Sequence, residues 1–298
     1  MSSIGREQMD SDKPVGFKPD RHKPVGFKPD RHKPVRLKPD RHKPPFIAIG
    51  RRLEGLPEVT TLGVKPNFLD YTPSERDLME DAELILDPTL NFAQFFTTMG
   101  KKIFPSLETH LYADEKIKQT TLFYMLGIPH PQTRFYYRRH HDDILKDFMF
   151  PFIAKLPRAS SQGRGVFKIT NTEELEQYLQ LTHVAYIQEY LPHDRDLRVI
   201  LIDYQPILAY WRKSPPGNFR TNIFQGGIIQ FENIPQEVIG MAQEMARKCR
   251  FDDVGLDFIQ DHGTWYLIEA NMKYGRQALK NKGMDLKAII RDRVLSWY

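Results

Sequence analysis

Short apolar runs alternate along this chain with stretches whose apolar residues recur every three or four positions, so strands and helices are interleaved. Phe46 to Gly50 and Leu84 to Leu86 are apolar runs that stop at Gly or Asp-Pro and predict two strands of a small α/β unit. Glu75 to Ala82 and Phe92 to Met99 have helical spacing. Thr109 to Leu126 predicts one helix stopped by Gly127, with Pro129 and Pro131 beyond, and places Lys116 in its first turns. Further along, the runs at 151–156, 166–169, 184–191, 207–212 and 223–231 predict strands. Leu175 to Leu181, Gln236 to Arg250 and Leu286 to Trp297 have helix-like spacing.

The last pair of apolar runs carries the most chemistry. In GLDFIQDHGTWYLIEAN, segments rich in Val, Leu, Ile and aromatics flank Asp261-His262-Gly263, which predicts an antiparallel hairpin. Side chains alternate faces along a strand. With an odd number of loop residues, Asp257 lies opposite Leu267, and Glu269 and Asn271 share its face. Three hard oxygen donors on one face suit Mg²⁺, an ion that holds carboxylates together with nucleotide phosphates. Taken alone, the segment reads more readily as a solvated hairpin face carrying two acids.

Upstream, the run ending at Lys155 opens into a polar loop, 157–165, whose Ser161, Gly163 and Gly165 let backbone N–H groups turn toward an anion. It is neither a Walker loop nor a dinucleotide fingerprint. Arg212, Lys213 and Arg220 place three cations around a loop between strands, suited to charge on a transferring phosphoryl group.

The order of these pieces resembles the ATP-grasp fold, most closely RimK-type α-L-glutamate ligases, over roughly residues 108 to 298. The resemblance implies that Lys116 and Lys155 reach nucleotide phosphates, with the loop from Ser160 to Val166 as a lid. It further implies that Glu189 and Tyr190 form the adenine hinge, that Asp196 contacts nucleotide, and that Arg220, Thr221 and Asn222 form a nucleotide segment. Asp257, Glu269 and Asn271 match the family's Mg²⁺ ligands, with Mn²⁺ as an alternative and two ions expected. Arg212 matches an arginine beside the acyl phosphate, where it and Arg220 would stabilise charge. Where the family reads Glu-Val-Asn-x-x-Pro-Gly, this chain has Glu269-Ala270-Asn271-Met272-Lys273-Tyr274-Gly275, altering a loop beside the amine-substrate site. The expected fold class is α+β: two ATP-grasp lobes, 108–186 and 187–298, preceded by a short α/β pre-grasp domain at 44–107 and a disordered repeat tail at 1–43.

Composition supports that division. The 298 residues carry 43 Lys/Arg and 38 Asp/Glu, yet residues 1–45 hold twelve of the former and six of the latter, so the body is nearly neutral. It therefore carries no compositional sign of nucleic-acid binding. The tail repeats KPVGFKPDRH twice and KPVRLKPDRH once, a proline-rich decapeptide that cannot be helical and favours polyproline II and coil. A recognition arm for an acidic partner, a substrate mimic held in cis, and a duplication without selected role all remain open for it. A single cysteine, Cys249, permits no internal disulfide, and the chain has no signal-like or membrane-length apolar segment, so a cytoplasmic protein is expected.

The function implied is an ATP-dependent carboxylate–amine ligase. Its partners are ATP, a carboxylate acceptor (peptide, protein C-terminus or small molecule) and an amine donor; homo-oligomerisation follows from likeness alone. A rival is an ATP-binding module without ligase activity that docks a partner through its basic tail.

Overall fold

The computed structural model describes residues 46–158, 165–214 and 227–297. The leading unit is a four-stranded parallel sheet ordered β2-β1-β3-β4, from β1 (Phe46–Ala48), β2 (Val59–Thr61), β3 (Leu84–Leu86) and β4 (Lys102–Phe104). Between these strands lie α1 (Pro73–Asp81) and α2 (Leu90–Thr98). Thr72 and Glu75 form a reciprocal capping box with Pro73 at the first helical position. One face of the sheet packs Ile47, Ile49 and Ile85 against Met79 and Phe96 of the two helices. Gly50 follows β1 against Asp87, close enough that any side chain there would collide with it.

The stretch expected to form one helix from Thr109 is two. α3 (Leu107–Tyr112) ends before Asp114, whose φ of 57° interrupts the helix, and α4 (Lys116–Met125) begins afresh. Lys116 is therefore the first residue of a helix rather than part of a longer one. Gly127, at φ 64°, ends α4 as predicted.

A second sheet, antiparallel and ordered β5-β8-β6-β7, comprises β5 (Thr133–Tyr137), β6 (Phe152–Lys155), β7 (Val166–Ile169) and β8 (Val184–Glu189). The small α5 (Ile144–Asp147) and α6 (Thr172–Leu179) cover one face of it. The lobe boundary expected at 186/187 falls inside β8, all of which pairs within this sheet.

The third sheet is antiparallel, ordered β11-β10-β9-β12-β13, from β9 (Arg195–Ile202), β10 (Gln205–Lys213), β11 (Ile228–Gln230), β12 (Asp253–Asp261) and β13 (Thr264–Asn271). Its odd residues on β9, Leu197, Val199 and Leu201, pack with Val254, Leu256 and Phe258 under α7 (Gln236–Cys249). On the opposite face Ile200 and Ile202 meet α9 (Leu286–Val294), which follows the short α8 (Gln277–Asn281), and residues of the leading sheet. Cys249 is buried in the α7 core, where burial pushes its thiol up to about 12, so it is a packing residue. Among the described residues no helix is long and apolar enough to cross a membrane.

Asp252 ties the leading half to the third sheet. Its Oδ1 and Oδ2 accept from the Ser106 backbone N–H at 2.9 and 3.0 Å, and Oδ1 accepts from the Thr109 hydroxyl at 2.9 Å. Burial pushes its carboxyl up to about 7, with these bonds opposing. A carboxyl raised in the folded state binds more protons than its unfolded counterpart between about pH 4 and 7, so stability falls as pH rises through that window. Chemical denaturation at pH 5 and 7.5 is expected to show this loss, and Asp252→Asn to reduce it; an unchanged slope in the variant would disprove the assignment.

Candidate active site

The hairpin of β12 and β13 closes through two residues, His262 and Gly263, with Asp261 paired to Thr264. The expected odd loop is thus wrong, and an even loop alone would set Asp257 opposite Ile268. A bulge between Asp257 and Phe258 makes up the difference: Phe258 pairs with Leu267, and Asp257 with Glu269. Asp257 does not face Leu267, but Asp257, Glu269 and, two pairs along, Asn271 opposite Gly255 still share a face. The extra residue re-aims the acids toward the cleft.

Across the sheet, one row reads Tyr210, Arg198, Asp257, Glu269. In the next row Asp196 is opposite Arg212. Arg198 clasps Asp257 with Nε to Oδ1 and Nη2 to Oδ2, both 2.6 Å, and Arg212 clasps Asp196 in the same fashion at 2.6 and 2.7 Å. Arg212 Nη2 also reaches Asp257 Oδ2 at 2.9 Å, and Asn271 Nδ2 donates to the same oxygen at 2.8 Å. All four charged side chains are buried. Burial alone would raise Asp257, but the two guanidiniums beside it hold it below the usual carboxylate range.

The first turn of α4 faces this row. Gln119 donates from Nε2 to the Ala270 carbonyl at 2.8 Å and accepts from the Ala270 N–H at 3.2 Å, fastening α4 to β13. That clasp sets buried Lys116 with its Nζ 3.4 Å from Glu269 Oε1. From the second sheet comes Lys155, on the face that also carries Tyr186 and Gln188. Tyr178 on α6 braces it by donating to the Lys155 carbonyl at 2.7 Å and accepting from the Tyr186 N–H at 3.0 Å. Burial pushes the Lys155 ammonium down to about 8; Glu269 opposes the shift and Lys116 adds to it. The Gly165 carbonyl, in a residue at φ 80°, accepts the Leu156 N–H at 2.8 Å.

Lys116, Lys155, Asp196, Arg212, Asp257, Glu269 and Asn271 are therefore brought together. Asp196 and Arg212 are engaged with each other rather than facing outward. Glu189 sits at the end of β8, where its Oε1 accepts from the Gln132 N–H at 2.6 Å, and the Tyr190 ring lies under Lys168 Nζ at 4.0 Å. Ser161, Gly163, Arg220, Thr221 and Asn222, like the repeat tail, lie outside the described residues. Sequence reasoning gave Arg198 no role and passed over Gln119. The signal for Arg198 was its two-residue spacing from Asp196, which puts both on one strand face; nothing in the sequence flags Gln119.

Two lobes of antiparallel sheet that bring a buried lysine to a carboxylate-bearing hairpin define an ATP-grasp ligase. The chain belongs to the RimK-like ATP-grasp family, whose domain model matches residues 113–294. It is 26% identical over 201 residues to the coenzyme gamma-F420-2:alpha-L-glutamate ligase of Methanococcus maripaludis, covering 64% of this chain and 70% of that one. It is 29% identical over 182 residues to N-acetylaspartylglutamate synthase A of Mus musculus, covering 57% and 47%. The crystal structure of the RimK domain protein ATP-grasp from Sphaerobacter thermophilus has a similar fold, with a TM-score of 0.60 at 14% identity over 84% of this chain and 99% of that one. The protein is accordingly an ATP-dependent amide-bond ligase that uses a carboxylate and an amine; a divalent ion is typical of the family.

The donor set fits such an ion. Two carboxylates and an amide share one face, all offer oxygen, and Glu269, with its side chain 31% exposed, is open to the cleft. Asp257 is at the same time the counter-charge of two buried guanidiniums. Asp257→Asn leaves Arg198 and Arg212 short of a partner and is expected to cost about 3–5 kcal/mol in urea denaturation. A loss below 1 kcal/mol would show that the buried guanidiniums do not depend on Asp257 as their counter-charge.

Proposed function

We propose that the protein is an ADP-forming ligase that adds an amino acid to a peptide, protein or small-molecule acceptor through an acyl phosphate. The observation that carries this reading is the meeting of Lys116, Lys155 and Glu269 over the Asp257–Asn271 face. In the first step an acceptor carboxylate oxygen bonds to the γ-phosphorus and the bond to the β-phosphate oxygen breaks, releasing ADP. In the second the amine nitrogen bonds to the acyl carbon, phosphate leaves with the C–O electrons, and the nitrogen gives up a proton.

Asp257, Glu269 and Asn271 would hold Mg²⁺ or Mn²⁺, which when bound screens phosphate charge. Lys155 and Lys116 would reach the phosphates, and Arg220, Thr221, Asn222, Ser161, Gly163 and Gly165 are assigned nucleotide contacts by family resemblance alone. Glu189 and Tyr190 flank the base. Arg212, held rigid by Asp196, presents a preorganised positive charge to the transferring group. No side-chain nucleophile is required, because the chemistry is positioning and charge stabilisation.

Mass spectrometry of amino acids and peptides incubated with enzyme, ATP and Mg²⁺ is expected to show a condensed product with ADP, not AMP. Glu269→Ala is expected to abolish ADP release; full activity in that variant would overturn the metal assignment. Formation of AMP would overturn the acyl-phosphate route.

Lys155 gives a second test. Its folded pKa lies below the unfolded one, so the free enzyme loses this charge as pH rises through about 8, and nucleotide affinity is expected to fall there. The same depression means stability rises with pH above 8, where the folded state has shed a proton that the unfolded state keeps. Lys155→Met is expected to weaken ADP binding at least tenfold, to flatten its pH dependence and to raise Tm, since it removes a buried ammonium. Unchanged ADP affinity measured by calorimetry would remove Lys155 from the site.

A further inference from the structure

The leading unit has one outer side that is both apolar and acidic. α1 and α2 lie on the same face of the parallel sheet, where Met79 and Phe96 pack onto Ile47 and Ile85. Lys101 Nζ ties the ends of the two helices by donating to the carbonyls of Glu80 and of Ala82, the latter at 3.2 Å. Just before α1, a 3₁₀ turn at Phe68–Asp70 sets the Phe68 ring 5.2 Å from that of Phe95 and 6.3 Å from that of Phe92. Leu69 beside it is 81% exposed, Phe95 is 40% exposed, and Met99, one turn beyond Phe95, is 49% exposed. Single apolar side chains at a surface are ordinary; a cluster contributed by adjoining elements marks a contact site.

The helix alongside is acidic. On α1, Asp77, Glu80 and Asp81 recur at helical spacing and are exposed, and exposed Glu83 follows them. Among the described residues none of the four forms an ion pair. From Phe68 to Lys102 the chain carries seven acids against Arg76, Lys101 and Lys102. Arg76 donates to the Tyr71 carbonyl at 2.7 Å and Lys101 to the α1 carbonyls, while Lys65, from just upstream, is taken up by Glu75. The stripe of acids is thus left over beside the aromatic cluster.

The sequence holds a segment of complementary chemistry. The decapeptides beginning at Lys13 and Lys23 each offer three cations against one acid, two prolines, and a Val and a Phe between the lysines; the third has Arg36-Leu37 in place of Gly-Phe. Proline-rich segments dock on aromatic-lined surfaces because they lose little entropy in doing so, and Lys or Arg also stacks on exposed rings. We propose that the α1–α2 face binds this repeat from a second copy of the chain. Val and Phe of the repeat meet Phe68, Leu69 and Phe95, and its cations meet Asp77, Glu80 and Asp81. Charge favours a copy of the same chain over a foreign partner, because the acid excess of the face is matched by residues 1–45, with twelve Lys/Arg and six Asp/Glu. Number favours other copies: three repeats stand against one such face per chain, so each tail has units to spare. The contact is head-to-tail and open, and builds strings of copies rather than a closed dimer. One unit contributes little, since exposed ion pairs are weak and screened, and tandem repetition raises the avidity.

Sedimentation velocity of the full-length protein is expected to show mass rising with concentration at low salt and returning to that of one chain at high salt. The peptide KPVGFKPDRHKPVGFKPDRH in excess is expected to disperse the assembly, and the same peptide carrying Phe17→Ser/Phe27→Ser to leave it intact. In the full chain, Leu69→Gln/Phe95→Gln and, separately, Glu80→Lys/Asp81→Lys are each expected to raise the concentration of half-association about tenfold or more, with circular dichroism and ADP affinity unchanged. Should the apolar variant unfold, the charge variant and the two peptides decide the matter. A mass of one chain under every condition overturns the proposal, as does an assembly that survives both variants. Assembly lost in Leu69→Gln/Phe95→Gln yet indifferent to salt, to peptide and to Glu80→Lys/Asp81→Lys is direct pairing of α2 faces, and overturns it too.

Discussion

A carboxylate buried in the middle of an antiparallel sheet persists as an anion only if cations are held rigidly beside it, and at Asp257 two guanidiniums meet that demand. Arg198 comes from the neighbouring strand in register, and Arg212 from the strand beyond, itself fixed by Asp196. Because each partner is on a different strand, the charges can be satisfied only when β10, β9 and β12 are aligned in this one register. A slip of one residue would send the charges into the α7 core and the aliphatic residues into the cleft. Specificity of register, rather than net stability, is what such a network supplies.

The same constraint divides the sheet into a charged half and an apolar half. On the face carrying Asp196 and Arg198, β9 continues as Ile200 and Ile202, which pack on α9 and the leading sheet. The charged end is left for the cleft, where Lys116 and Lys155 arrive from two other elements. Lys155 sits at a desolvated position that depresses its pKa, a cost tolerated next to Glu269 and consistent with a group kept for an anionic ligand.

How much of this could be read from the chain depended on the range of the interaction. Hairpin strands, the Gly127 helix stop and the capped α1 follow from local signals and appear where expected. The break at Asp114 did not, because apolar spacing continues across it and only a single residue's backbone angle separates α3 from α4. Strand β9 was passed over as a central strand because Arg195, Asp196 and Arg198 resemble a solvated edge. The burial of Asp196 and Arg198 makes sense only once partners 16 and 59 residues away are known. The acids' common face was foreseen for the wrong reason: an odd loop was assumed where an even loop plus a bulge produces the same result. Resemblance of motif order identified the family where composition and periodicity alone favoured a solvated hairpin.

The hairpin and the turn after it are held by two different groups of contacts. The hairpin's paired region, through Asn271, is fixed by register, by the Gln119 clasp and by the arginine network. The turn that follows is fixed by separate contacts, those of Tyr274 with Asp253 and Arg52. The two groups are not wholly independent, because Gln119 Nε2 also lies 4.0 Å from the Met272 sulfur. Tyr274 is the turn's own anchor, holding it to β12 and to Arg52. A proline could supply neither the hydroxyl that joins the leading sheet to β12 nor the ring that packs on Gly255.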